Sequence, residues 1–195
     1  MRNFSTRRFA LVLLIISAAL IAAAPFLMPS GYAWLSNSIS ESGAQGVTGA
    51  WATRLGFLTL GLGVVFLATS TEMSWRTGAR WLLGSYGFLM LCVAAFSTVS
   101  WDASVTGNAT ESLLHSIAAA AMGFAYGIGI FWVALTDRAA SFGWRVFSLA
   151  VVASSIALPI SAALFTPLGG LLQRIMFALA YIWFIVEARH PKADA

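Results

Sequence analysis

The stretch FALVLLIISAALIAAAPFLM, residues 9–28, decides how this chain folds. Its twenty residues carry no charge, and Ser17 is its one hydroxyl. As a helix rising about 1.5 Å per residue it matches the roughly 30 Å of hydrocarbon in a bilayer. A soluble amphipathic helix of this length would show a polar face, and this one shows none. Five further apolar runs follow, over about 51–70, 81–100, 113–136, 146–165 and 171–188. The runs are too long and too unalternating for barrel strands, and lipid offers backbone groups no partner, so each is expected to be a helix. The fold class is therefore all-α: a single polytopic bundle of six transmembrane helices spanning residues 1–195.

Composition agrees. Of 195 residues 59% are hydrophobic and 9% are charged, with a mean hydropathy of +0.85. That is too little charge to cover a soluble globule. The net charge of +4 would suggest nucleic acid in a soluble protein, but here the basic residues sit in short loops and tails where they meet lipid headgroups. Cys92 is the lone cysteine, so no disulfide framework exists within the chain. Arg2, Arg7 and Arg8 precede the first run as in a signal peptide, but an apolar stretch of twenty residues exceeds a cleaved h-region, so an uncleaved first helix is expected.

Orientation follows from arginine and lysine. Six crossings put Arg2, Arg7, Arg8, Arg76, Arg80, Arg138, Arg145, Arg189 and Lys192 on one side, with only Arg54 and Arg174 opposite. The positive-inside rule makes the richer side cytoplasmic, with both termini there. The outer side then holds the one long loop, residues 29–50. Tyr32 and Trp34 are its aromatic anchors, and Ser38-Ile39-Ser40-Glu41 fits a capping box, so a short interfacial helix is expected there. Trp34, Trp51, Trp75, Trp81, Trp101 and Trp144 fall near span ends and read as an aromatic belt. In the fourth span, Ala118–Ala121, Gly123 and Gly127 have the spacing that lets helices approach, which places that span at the centre. Pro159 should bend the fifth span and free a carbonyl, with Ser154, Ser155 and Ser161 available around the kink.

Function is sought where charge meets hydrocarbon, because an ionisable residue there usually faces a cavity or a partner. Glu41, Arg54, Asp102, Glu111, His115 and Arg174 all fall near the outer face. Glu111 and His115 share a helical face at a spacing of four. Arg54 and Arg174 begin spans on the disfavoured side; each pairs with Glu41, Asp102 or Glu111, snorkels to phosphate, or binds an anionic ligand through its guanidinium fork. Asn37, Ser40 and Gln173 add neutral polar groups, giving a ligand-binding set of Asn37, Ser40, Glu41, Arg54, Glu111, His115, Gln173 and Arg174. His115, Glu41 and Asp102 are the candidate acids and bases if the site is catalytic. Against these stand plain readings: a cap for Glu41, a loop-bonded histidine, and a solvated Asp102. No metal motif, phosphate-binding glycine loop, nucleophile elbow or cofactor pattern is present; His190 lies across the membrane from His115.

The segment Asn37-Ser38-Ile39-Ser40-Glu41-Ser42-Gly43 resembles the N-x-I-S-E-L-G motif of a prokaryotic six-helix family, domain of unknown function 998. Leu114-His115-Ser116-Ile117 and Gly170-Leu171-Leu172-Gln173-Arg174 are also similar, with Ser42 standing where the family usually has Leu. The resemblance spans nearly the whole chain and implies a six-helix bundle. Because the family is similar to eukaryotic membrane proteins linked to lipid remodelling and autophagy, it also implies a lipid-related setting. It supplies no reaction.

Three functions follow from this reading. The first is a membrane protein whose outer polar pocket binds the headgroup of a lipid or other amphiphile. The second is a structural or partner subunit of a membrane complex, homo- or hetero-oligomeric. The third is a membrane-embedded enzyme acting on a lipid ester or phosphate with His115 and Glu41 as acid and base. Nearly bare midsections argue against an ion pump. Membrane lipids are the expected partners and nucleic acid is not.

Overall fold

The computed structural model describes residues 5–137 and 140–189; Arg2, Arg138, His190 and Lys192 lie outside them. Helix α1 spans Thr6–Ala23 and runs into a 3-10 turn, Ala24–Leu27. A short α2, Ile39–Ser42, interrupts the long loop, and α3 follows at Ala50–Thr69. The rest are α4 (Thr77–Ala95), α5 (Ala109–Thr136), α6 (Phe142–Leu164), a 3-10 turn at Thr166–Leu168, and α7 (Gly169–Arg189). Among the described residues there is no strand. Six of the helices are long and apolar enough to cross a membrane.

The spans match the expected ones apart from their ends, and side-chain caps explain the differences. The expected third span ran to residue 100, but α4 stops at Ala95. Beyond it, the Phe96 carbonyl bonds the ring of His115 (2.8 Å) and the Ser97 N–H donates to Glu111 (2.6 Å), so the next turn is never needed. The fourth span begins four residues early because Asn108 caps it, its side-chain oxygen accepting from the N–H groups of Thr110 and Glu111. The expected interfacial helix is present as α2, closed at its start by the reciprocal Ser38–Glu41 box.

Consecutive long helices pack side by side, and α7 returns to meet α1. Packing is uneven. In lipid, helices associate through close van der Waals contact rather than the hydrophobic effect, so small residues decide where they meet. At the α3–α4 crossing a Cβ on Gly61 would lie 2.7 Å from the Gly87 carbonyl, and one on Gly87 would lie 2.8 Å from the Gly61 carbonyl. Gly56 and Gly63 similarly admit Ile21 and Leu14 of α1. The hub is thus α3, 56% buried across its apolar window, and not the fourth span as its glycines suggested. Gly123 of α5 has nothing within 4 Å, and Gly127 meets only the Ser155 hydroxyl. Those residues border a gap between α5 and α6 instead, and α6 is only 11% buried.

The bundle's interior is filled by aromatic rings from α7. Trp183 and Phe184 are fully buried. Phe184 packs on Tyr86 of α4 and Tyr126 of α5, whose own rings lie 5.2 Å apart. Trp183 stacks on Trp75 and donates its indole N–H to Ser148 of α6. The Ser17 hydroxyl bonds both the Gly56 carbonyl and the Tyr181 hydroxyl, each at 2.6 Å, which joins α1, α3 and α7 at mid-depth. α6 continues through Pro159, and Ser155, four residues earlier, donates its hydroxyl to the Val152 carbonyl.

Candidate functional site

The end opposite the termini, here the distal end, gathers every outer candidate, but not into one nest. Glu41 accepts the Ser38 N–H at 2.6 Å and its own N–H donates to the Ser38 hydroxyl, so it is first a cap. Ser42 completes the turn, buried against Thr53 at 2.7 Å, which is why a small hydroxyl serves where a leucine would be expected. Asn37 accepts the Ala33 N–H. Ser40 contributes its carbonyl to the turn's closure at Gly43.

The two isolated arginines bind carbonyls rather than carboxylates, contrary to the expected pairing. Arg54 donates to the carbonyls of Gly43 and Ala44, finishing α2. Arg174 reaches the carbonyls of Trp34, Asn37 and Gly170 through Nη1, and the Tyr32 hydroxyl through Nη2. No described residue accepts from its Nε–H, and no described carboxylate lies within ion-pair distance of it. Arg174 and Gln173 thereby fasten the loop across the start of α7, with Gln173 accepting the Ile39 N–H and Leu35 accepting the Leu171 N–H. Gly170 is required beneath, since a Cβ would collide with the Asn37 and Trp34 carbonyls.

Glu111 and His115 share the predicted face and grip adjacent residues of the turn after α4. His115 is 6% exposed. Asp102 closes an exposed turn on Ser104, whose hydroxyl and N–H hold its carboxyl below the ordinary value of 3.8. Gln45, which nothing in the sequence singled out, is the main tie between the two distal loops. Its amide donates to the Ser97 and Asn108 carbonyls and accepts the Asn108 N–H. Long polar side chains in loops carry no periodic signal, so only coordinates reveal such a tie.

Two cavities flank α7 under the clamped loop. One, about 660 Å³, is a groove between α1 and α7 walled by Ile21, Phe26, Phe177 and Ile182, with Tyr32, Trp34 and Arg174 at its distal part. The other, about 440 Å³, lies between α6 and α7 and is lined by Ser36, Ser38, Glu41, Thr166 and Gln173 against Leu158, Pro159 and Met176. His115, Arg54, Asp102 and Glu111 line neither.

The proximal end holds what sequence reading overlooked. Glu187 is 4% exposed inside the last turns of α7 and accepts the indole N–H groups of Trp75 and Trp144, each at 2.7 Å. Those two tryptophans are therefore hydrogen-bonding partners rather than members of the expected belt, whereas Trp34, Trp51 and Trp81 are exposed. A carboxylate within an apolar run was the available signal. Arg7 pairs with Glu72 at 3.0 Å, and Arg80 gathers the carbonyls of Ala68, Ser70, Met73 and Trp75. Among the described residues no group of three metal-ligating side chains occurs.

The bundle and its cavities define an integral membrane protein of six spanning helices with a groove of about 660 Å³ between α1 and α7. The family described as "Protein of unknown function (DUF998)" matches residues 10–190, and the chain belongs to it. No curated protein and no solved structure gives a significant match.

Proposed function

We infer that the protein binds a membrane amphiphile with an anionic headgroup in the groove between α1 and α7. One observation carries this reading: Arg174 sits in a groove of about 660 Å³ whose other walls are apolar, and no described carboxylate offsets its charge. The volume falls within the roughly 300–1,000 Å³ of ligand sites. A guanidinium with unused N–H groups suits phosphate, and its attraction is strengthened where water is scarce. Tyr32 and Trp34, about 6.0 Å from the guanidinium, hold it in place and supply the amphipathic rim.

Charge orients the site. Arg7, Arg8, Arg76, Arg80, Arg145 and Arg189 lie at the proximal end against Arg54 and Arg174 at the distal end. The positive-inside rule then puts both termini in the cytoplasm and the groove in the outer leaflet of a prokaryotic plasma membrane. The partner-subunit alternative draws support from the local satisfaction of Arg54, Glu111 and His115, which fasten loops. The acid–base alternative draws none, since His115 and Glu41 share no cavity.

Native mass spectrometry of the detergent-extracted protein tests the reading. Wild type should retain an anionic phospholipid that Arg174→Ala releases. Ala178→Phe, which fills the groove and leaves the Arg174 bonds intact, should release it too. An unchanged lipid spectrum in both variants would sink the reading and favour a scaffold.

A further inference from the structure

The two cavities flanking α7 carry opposite charge. Among the described residues, Arg174 is the only side chain in the α1–α7 groove that is charged at neutral pH, whereas Glu41 is the only ionisable side chain in the α6–α7 cavity. The capping box uses only half of that carboxylate. Glu41 Oε2 accepts the Ser38 N–H, and no described residue donates to Oε1. Gln173 spends its carbonyl on the Ile39 N–H, and its amide nitrogen has no acceptor among the described residues. The Ser38 hydroxyl accepts from the Glu41 N–H and keeps its own proton and a lone pair. Pro159, also in the wall, has no N–H to give the carbonyl one turn earlier.

We propose that the α6–α7 cavity is a second site, for the ammonium group of a primary-amine amphiphile. A protonated amine offers three donors on one small centre, matching a free carboxylate oxygen beside hydroxyl oxygens. The wall contains no aromatic ring. Trimethylammonium groups are recognised by aromatic cages and have no N–H to donate, so the cavity discriminates against them. A divalent cation is disfavoured, since a single carboxylate stands where an all-protein site needs several oxygen ligands. The tail has somewhere to go: Leu158, Pro159, Ala162 and Met176 form the apolar wall, and Pro159 also borders the gap of about 450 Å³ between α5 and α6. This site stands apart from the Arg174 groove and does not rest on it.

The probe is decylamine, compared with decyltrimethylammonium, which differs only in its head. Binding to the purified protein is followed by native mass spectrometry. Wild type should retain decylamine about tenfold better than the trimethyl compound, the worth of one charge-assisted hydrogen bond. Glu41→Gln should abolish the preference, and because glutamine also serves a capping box, α2 should persist. Ala162→Phe, which fills the cavity from α6 without touching the cap, should also abolish it. Ala178→Phe, which fills the α1–α7 groove and leaves the loop's Arg174 bonds in place, should leave the preference unchanged, so failure here is distinguishable from failure of the anionic groove. Equal retention of the two probes, or a preference that survives in both Glu41→Gln and Ala162→Phe, would overturn the proposal.

Discussion

The α1–α3–α4–α5 side of the bundle and the α6–α7 side are built from similar residues but to different tolerances. On the first side glycines meet backbone: Gly61 and Gly87 face each other's carbonyls, and Gly63 faces the Ala10 carbonyl beside the Leu14 side chain. Where α5 turns toward α6, by contrast, Gly123 faces nothing within 4 Å, and only Ser148 and Val151 of α6 are buried. The cavities of about 660 and 440 Å³ both border α7 and the gap of about 450 Å³ borders α6, while the first side keeps a groove of about 590 Å³ between α3 and α4, lined by neither Gly61 nor Gly87. A stripe of small residues thus marks a close crossing only where a neighbouring helix supplies a matching one. Without it the same stripe marks space, and the space is where ligands are expected.

The contrast can be broken most directly by filling both glycine positions. Gly61→Leu should destabilise the protein by about 3 kcal/mol, because backbone cannot yield as a side chain can, while Gly123→Leu should be close to neutral. Thermal unfolding in detergent reads both, and comparable losses would show that the two sides are packed alike. A middle-sized effect tests what ties α6 to the rest. Glu187→Leu strands the indole N–H of buried Trp75 and leaves that of half-buried Trp144 to water, a loss of about 2 kcal/mol. Hydrogen exchange should accelerate in α6 before α3; uniform acceleration would deny α6 its separate status. The smallest effect lies in the loop after α4. Asp102 has a depressed folded pKa, so its contribution is present above the ordinary 3.8 and is lost as pH falls through the lower folded value. Asp102→Asn should remove that acid dependence from the Ser104 amide, followed by NMR titration, without altering α6.

Much of this architecture was legible beforehand. Apolar run length located every crossing, and Ser38 and Glu41 announced α2 because a capping box is a local pattern of fixed spacing. The distal clustering of Glu41, Arg54, Glu111, His115 and Arg174 was legible for the same reason, since connectivity fixes which end a residue occupies. What those residues touch was not. A charge near lipid needs a partner, but carbonyl groups satisfy it as well as carboxylates do, and carbonyls leave no mark in a sequence. Hence Arg54 and Arg174 became braces, Gln45 went unnoticed, and the two cavities emerged only from how α7 packs against α1 and α6.

The clamp over α7 sets an order of assembly. Asn37 is bonded by Arg174, 137 residues later in the chain. Ribosomes add roughly 5–20 residues per second, so about 7–27 s separate the synthesis of the two partners. During that interval the first loop is without its fastener. The distal cap therefore closes only once α7 has been made, and truncation before the final helix leaves a lid with no hasp.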